Sequence, residues 1–295
     1  MASLAWAGPV RIFVGVPPLQ TFAERVGGPH VEVQSLVQPG QSPHVYEPTP
    51  RQVAALGRAD LYLGIGIPFE TAQLPRIRAA NPRLRVLDAR EGVDLRPLEA
   101  HDHDGSSGPG VQAQAHSEPS GVAAGQEAHD HAMELDPHVW TSPRVAQRIA
   151  LGIRDALTEI DPANAQAYGA NYQSFAAELD GLDRDIRAEL ASVGVRRFMV
   201  YHPAWGYFAD AYGLVQVPIE KAGKEPGPRS LAALIDQARR EGVKVIFVQP
   251  QVGSKSAEQV AAAIGGRVVV IDPLAADYVG SLRRAAREIA AAGAP

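Results

Sequence analysis

The chain has 295 residues, a formal net charge of −5, no cysteine and nine histidines. The length is typical of about two domains, and the acidic balance excludes the basic footprint of a nucleic-acid binder. The absence of cysteine excludes disulfides, thiolate catalysis, cysteine-ligated zinc and iron–sulfur clusters. Any transition-metal chemistry must therefore use imidazole and carboxylate ligands.

The N-terminal residues leave two interpretations of the compartment open. Ala5-Trp6-Ala7 fits the small-x-small end of a secretory signal peptide, but the charged and apolar regions that precede such an end are missing. An exported protein with a trimmed signal peptide and an ordinary N-terminus both fit. No apolar run reaches about 18 residues, so we expect no membrane span.

Apolar runs alternate with helical patterns along the first half of the chain, which is typical of an α/β fold with mostly parallel strands. Thr49, Pro50 and Gln52 form a capping-box helix start. Further helices are predicted over 19–26 and 142–159. Strands are predicted over 10–16, 31–37, 61–65 and 83–87.

A long amphipathic segment follows. Asp161-Pro162 is a helix-start signal, and large apolar residues recur with helical spacing to about Ser192. We predict one rigid linker helix over 161–192, about 45 Å long. Two shorter helices broken near Gly181 are the alternative.

The second half repeats the alternation of strands and helices. Helices are predicted to begin near Pro203, Ser230, Ser254 and Ala275, and strands over 197–201, 215–217, 243–249 and 267–271. The sequence therefore predicts two α/β lobes with parallel sheets, over 1–160 and 193–295. Such sheets bind ligands beyond the carboxyl ends of their strands.

The segment 101–132 is rich in Gly, Ser, Ala, Gln and His and has few apolar side chains, which predicts a flexible insertion in the first lobe. Its histidines are candidate weak zinc sites that would capture the ion and pass it on, while an incidental bias in a solvated insertion is the alternative. These histidines are His101, His103, His116, His129 and His131.

Three other histidines lie in distinctive contexts. His44 follows a strand, His138 precedes a helix start and His202 follows a strand directly, as does the carboxylate of Asp272. Three imidazoles and one carboxylate satisfy the ligand count of tetrahedral zinc. Each residue alone also fits a structural role, so from position alone the joint site is a hypothesis. His30, in a turn, is interpreted as a surface residue.

These segments resemble, in order along nearly the whole chain, the zinc and manganese type of substrate-binding proteins of ABC importers. The third segment departs from manganese-type relatives, which tend to carry Glu where His202 stands. Gln249 and Gly227 depart from the family's common Glu and Ser. The segments are Pro43-His-Val-Tyr-Glu-Pro-Thr-Pro50, Asp136-Pro-His-Val-Trp140, Tyr201-His-Pro-Ala-Trp-Gly-Tyr-Phe208, Lys224-Glu-Pro-Gly-Pro228 and Val270-Ile-Asp-Pro-Leu274.

The resemblance implies two Rossmann-like lobes joined by a long helix. It further implies a monomeric receptor in the periplasm, or otherwise outside the cytoplasm at the membrane, that delivers a metal ion to an ABC permease. Three imidazoles favour zinc over manganese as the transported ion. A manganese or broad divalent-metal receptor is the alternative.

The resemblance also implies a closed ligand set of His44, His138, His202 and Asp272, with no catalytic role. We expect Glu47 and Asp136 to lie around this set as accessory residues, and direct approach of Glu47 to the metal is the alternative. A zinc hydrolase is the rival from another class, with Glu220 or Glu225 as its base, but neither lies in a recognised catalytic motif.

Overall fold

The computed structural model describes residues 8–98, 135–220, 223–253 and 255–293. It contains two four-stranded sheets, and every strand pair in them is parallel. The predicted insertion at 101–132, with its five histidines, lies outside the described residues. No helix in the part of the chain that the structure covers combines the length and the apolar character needed to cross a membrane.

The first sheet has the strand order β2-β1-β3-β4. The central strands β1 and β3 are apolar and buried except at Arg11 of β1, which agrees with a parallel sheet covered by helices. The strands are β1 (Val10–Val14), β2 (Val31–Ser35), β3 (Leu61–Gly64) and β4 (Arg85–Asp88), and the helices are α1 (Pro17–Gly27), α2 (Pro50–Leu56), α3 (Pro68–Ala80) and α4 (Pro143–Ile160).

Two of these helices show what local sequence signals can predict. The predicted capping box of α2 is confirmed, because the Thr49 hydroxyl accepts from the Gln52 backbone and the Gln52 side chain accepts from the Thr49 backbone. The pattern does not predict α3, which carries Pro75 in its interior and buries only a few side chains.

The second sheet repeats this arrangement with the order β6-β5-β7-β8. The carboxyl ends of its strands face the crevice in which parallel sheets bind ligands. Its strands are β5 (Arg197–Val200), β6 (Val215–Pro218), β7 (Val245–Val248) and β8 (Arg267–Val270), and the helices of this half are α6 (Gly206–Tyr212), α7 (Pro228–Arg240), α8 (Lys255–Ile264) and α9 (Tyr278–Ala292).

Helix α5 (Ala165–Glu189) lies between the two halves in sequence. It runs through Gly181 without a break, so the single-helix prediction is confirmed, although the helix begins after a 3-10 turn at Pro162–Asn164 and is shorter than predicted. Its 25 residues span about 37 Å. The lobe boundaries at 160 and 193 stay a prediction.

Helix α5 packs against α1 and α4 of the first half and against α9 of the second. One hydrophobic cluster consequently extends from Ile12 in β1 through Phe175 and Leu182 in α5 to Leu282 in α9. A second, smaller cluster fills the other face of the β5–β8 sheet. Because close-packed interiors deform little, the shared core opposes a wide hinge motion between the halves.

Candidate metal centre

The structure brings together three of the predicted ligands. His44 lies in a 3-10 turn (Pro43–Val45) after β2, His138 immediately precedes the turn Val139–Thr141, and His202 follows the carboxyl end of β5. Their Nε2 atoms form a triangle: His44 to His202 is 3.1 Å, His202 to His138 is 3.3 Å and His44 to His138 is 3.4 Å.

This triangle has the dimensions of one face of a zinc tetrahedron. With zinc–nitrogen bonds of about 2.0–2.1 Å, tetrahedral geometry places the ligand nitrogens about 3.3–3.4 Å apart. The observed separations of 3.1–3.4 Å agree with that edge length. The side chains are thus arranged to hold a small cation.

The second ring nitrogen of two histidines faces a carboxylate. Nδ1 of His138 lies 2.7 Å from Oδ1 of Asp136, and Nδ1 of His202 lies 2.5 Å from Oε1 of Glu220. A carboxylate accepts hydrogen bonds, so these contacts assign the proton to Nδ1 in both rings. The Nε2 atoms of both rings therefore present lone pairs to the centre of the triangle, where they repel each other unless a cation lies between them.

Burial favours the uncharged form of two of the three rings. His138, Asp136 and Glu220 are all buried. Burial lowers the pKa of His44 to about 2, with smaller effects of His138 and His202 in the same direction. Burial also lowers the pKa of His138, although Asp136 opposes it. Neutral imidazole is the form that binds metal, so His44 and His138 are ready to coordinate near neutral pH.

The charges around the cluster match a divalent cation. Asp136 and Glu220 bring two buried carboxylates next to the rings of His138 and His202. A dication at the centre balances both. Buried charges are tolerated when they are paired, so the free energy of the site favours the ion-bound state.

Asp272, the predicted fourth ligand, lies outside the group of ligand atoms formed by the three histidines. Its Oδ1 accepts a hydrogen bond from Gln251 at 2.7 Å and from the Leu274 backbone at 2.9 Å. Direct coordination by this oxygen requires the carboxylate to exchange its contact with Gln251. Its role as a ligand stays a prediction.

Glu47 and Asp136, the predicted accessory residues, have different environments. Asp136 lies against His138, as described above. Glu47 is exposed and lines a groove of about 880 Å³ that His44 also borders. Glu47 does not belong to the group of ligand atoms formed by the three histidines.

Glu220 is the residue whose place the sequence does not reveal. Sequence reasoning considers it only as a hydrolase base, whereas the structure holds it against the His202 ring. Glu220 lies two residues beyond β6, the strand that pairs with β5, and its backbone donates to the Tyr201 carbonyl. Both Glu220 and His202 follow predicted strands, which was the available signal for their contact. The order of the strands in the sheet, however, cannot be read from one sequence.

Hydrogen bonds tie the His138 segment to the second half of the chain. The indole of Trp140 donates to the Pro273 carbonyl at 2.7 Å, and the Tyr278 hydroxyl donates to the Trp140 carbonyl at 2.8 Å. The Tyr207 hydroxyl donates to the Asp136 carbonyl at 3.1 Å. The centre is therefore built from both halves of the chain and fastened at both.

Two parallel α/β sheets, a long linking helix and a three-histidine centre at the strand ends define a metal-binding receptor of the solute-binding class. The chain belongs to the family described as zinc-uptake complex component A, periplasmic, whose model matches residues 12–292. The family predicted from the sequence is thereby confirmed, and so is the two-lobed α/β fold.

Two curated relatives illustrate the similarity. The chain is 31% identical to the high-affinity zinc uptake system protein ZnuA of Bacillus subtilis over 260 residues, which is 87% of this chain and 76% of that protein. It is 27% identical to the zinc-binding protein AdcA of Streptococcus pyogenes serotype M6 over 269 residues, 90% of this chain and 51% of that protein. The chain thus spans about half the length of the streptococcal relatives it matches.

Solved structures are similar over nearly the whole chain. A crystal structure of ZnuA has a TM-score of 0.82 at 37% identity and covers 97% of this chain and 100% of its own. A zinc-bound ZnuA with an internal deletion has a TM-score of 0.81 at the same identity, covering 97% of this chain and 99% of its own.

Proposed function

We propose that this chain is an extracytoplasmic receptor that binds Zn²⁺ between its two halves and delivers it to the permease of an ABC importer. The observation that carries the proposal is the triangle of Nε2 atoms at 3.1–3.4 Å, with the Nδ1 atoms of His138 and His202 held by carboxylates. Membership of a zinc-uptake family supports the choice of ion and of partner.

The proposed protein ligands are the Nε2 atoms of His44, His138 and His202. Asp136 and Glu220 fix the tautomer of two rings and increase their basicity as ligands. Three imidazoles suit zinc better than manganese, which prefers oxygen ligands. A manganese or broad divalent-metal receptor remains the second candidate within this class.

There are two candidate ligands for the fourth coordination position. The sequence predicts Asp272, whose carboxylate comes from the loop that follows β8. A water molecule is the other, since Asp272 is engaged by Gln251 and Leu274. The variant Asp272→Asn separates them, because loss of a direct carboxylate ligand weakens zinc binding far more than loss of a distant charge.

Release of the ion is proposed to need a local change and not a wide opening. The hydrophobic core continues from one half of the chain to the other, which opposes hinge closure. The loop of His44 is the accessible part of the centre, since the neighbouring Val45 is 81% exposed. Contact of the permease with this loop would withdraw one imidazole and weaken the site.

A hydrolytic activity is not expected. Glu220 is held by the His202 ring, and Glu225 is exposed, with only a long contact of 3.4 Å from the Tyr201 hydroxyl. Neither carboxylate belongs to the group of ligand atoms at the centre.

We further propose that the receptor acts as a monomer.

The histidines of 101–132 are proposed to capture zinc weakly and raise its concentration near the centre. The concentration of five histidines in one segment supports the idea. Deletion of 101–132 should remove weak sites from a zinc titration and leave the tight site. An unchanged number of weak sites would end the proposal.

The experiment for the proposed function is a zinc titration of the purified chain with competition by a chelator. One tight site per chain is expected for the wild type, and its loss for His44→Ala, His138→Ala and His202→Ala. The matched control is His30→Ala, because His30 packs against Tyr168 and lies outside the cluster.

A further inference from the structure

Gln249 follows β7 and is buried beside the metal centre, with 4% of its surface exposed. Its Nε2 donates to the carbonyl of His202 at 3.0 Å. Its Oε1 is buried and has no hydrogen-bond partner among the described residues. An unpartnered buried acceptor costs about 1–3 kcal/mol, so the arrangement calls for a donor that binds with the ion.

The orientation of this amide is fixed by chemistry. The His202 carbonyl only accepts, so the end of the Gln249 side chain that contacts it must be the NH₂ group. The oxygen is consequently the end left for another partner. Gln249 therefore contacts the backbone of one zinc ligand and also lines the cavity beside all three.

That cavity is the size of one water molecule. It is lined by the three histidines together with Gln249 and Gln251. The centre of a water molecule can occupy a volume of about 20 Å³ in it. A buried water needs at least about 10–15 Å³ on this measure and two or more polar partners. A bound ion and Gln249 Oε1 supply two such partners.

The Asp272 carboxylate does not reach the centre in this arrangement. Its Oδ1 accepts from Gln251 and from the Leu274 backbone, and Asp272 lies outside the group of ligand atoms formed by the three histidines. The fourth position is therefore left for a ligand other than this carboxylate.

We propose that Gln249 is a positioning residue for the fourth coordination position, where its amide oxygen accepts a hydrogen bond from a metal-bound water. The inference rests on the proposed function, since it requires a cation at the three histidines. In this proposal Asp272 lies beside the site and is not a ligand of the ion.

The test uses the full chain loaded with Co²⁺, whose visible spectrum reports ligand exchange, and azide as the competing ligand. Azide displaces a metal-bound water but not a protein ligand. The wild type should therefore show a saturable spectral change. Gln249→Met removes the acceptor and should make azide bind about 3- to 10-fold more tightly and zinc about 3- to 10-fold more weakly.

Two further variants complete the test. Gln249→Glu places a negative charge at the position and should weaken azide binding, which keeps the test decisive if Gln249→Met fails to fold. Gln237→Met is the matched control, because Gln237 is also a buried glutamine with an unpartnered Oε1 but lies on α7 and outside the lining of this cavity. It should behave like the wild type.

A wild type that binds Co²⁺ but gives no azide response would overturn the inference and leave the proposed function intact. An azide response that appears only in Asp272→Asn would also overturn it and assign the position to the carboxylate. If Gln249→Met bound azide as tightly as the wild type does, and zinc likewise, the proposed role of Gln249 would be overturned. Failure of the wild type to bind Co²⁺ or zinc would instead reject the proposed function.

Discussion

Glu220 Oε1 lies 2.5 Å from Nδ1 of His202, the ring nitrogen turned away from the other two histidines. Asp136 makes the equivalent contact with His138 at 2.7 Å. The two carboxylates come from different halves of the chain but perform one task, which is to hold a ring with its Nε2 lone pair toward the centre. The metal centre is thus a five-residue unit, of which three members point inward.

The first prediction concerns these carboxylates. Glu220→Gln and Asp136→Asn should each lower zinc affinity by about 10- to 100-fold, because a neutral amide accepts a weaker hydrogen bond from the ring than a carboxylate does and holds its tautomer and orientation less firmly. Competition with a chelator measures the change. The control is Asp161→Asn, since Asp161 is another buried aspartate that accepts from the Tyr168 hydroxyl away from the centre. Wild-type affinity in both site variants would contradict the assigned role.

The second prediction concerns the stability of the metal-free protein at low pH. An unfolded histidine takes up a proton below about pH 6.5, whereas burial holds the folded His44 neutral down to a pKa of about 2. The unfolded state then binds more protons, so the free energy of unfolding should fall as the pH drops below about 6.5. The loss is at most about 1.4 kcal/mol per pH unit for one group.

Denaturant titrations at several pH values between 7.5 and 5 measure this effect. His44→Gln removes the titrating group and should show a shallower loss of stability than the wild type. His30→Ala is the control and should follow the wild type. Parallel curves for wild type and His44→Gln would contradict the assignment of a neutral His44 in the folded state.

The third prediction concerns stabilisation by the ion. A ligand that binds only the folded state stabilises it by about 2.7 kcal/mol when present at 100 times its Kd. Excess zinc should therefore raise the thermal midpoint of the chelator-treated wild type, and the chelator should reverse the shift. His138→Ala should lose the shift, because a truncated triangle no longer holds the ion. A shift of wild-type size in that variant would place the stabilising zinc elsewhere.

The fourth prediction concerns the contact between the two halves of the chain. Trp140→Phe retains a ring but loses the indole donor to Pro273, so the free energy of unfolding should fall by about 1 kcal/mol or somewhat more. Zinc affinity should fall as well, since His138 lies two residues away on the same segment. Tyr212→Phe is the control, because its hydroxyl contacts Asp183 on α5 and not the metal centre. Equal zinc affinities in Trp140→Phe and Tyr212→Phe would show that the Trp140–Pro273 hydrogen bond does not support the metal centre.

The sequence allowed most of the fold to be predicted, because alternating apolar runs and helix-start signals are local. The capping box at Thr49 and the unbroken helix through Gly181 follow from such signals. Helix α3 does not, since Pro75 interrupts its pattern and few of its side chains are buried. The three histidines could be proposed from their positions at strand ends and from the family resemblance.

The residues around the histidines could not be predicted in the same way. Glu220 reaches His202 only because β6 lies next to β5, and this order is a tertiary property. The contact of Asp272 with Gln251 likewise depends on the path of two loops that no spacing rule describes. Local sequence thus indicates which groups can bind an ion, while strand order decides which of them meet.

The central claim is that three histidines from distant parts of the chain hold one zinc ion, and His202→Ala tests it most directly. The measurement is the zinc content and affinity of the purified variant beside the wild type and His30→Ala. We predict one tightly held zinc per chain in the wild type and in His30→Ala, and none in His202→Ala. Full retention of tightly bound zinc in His202→Ala would contradict the account.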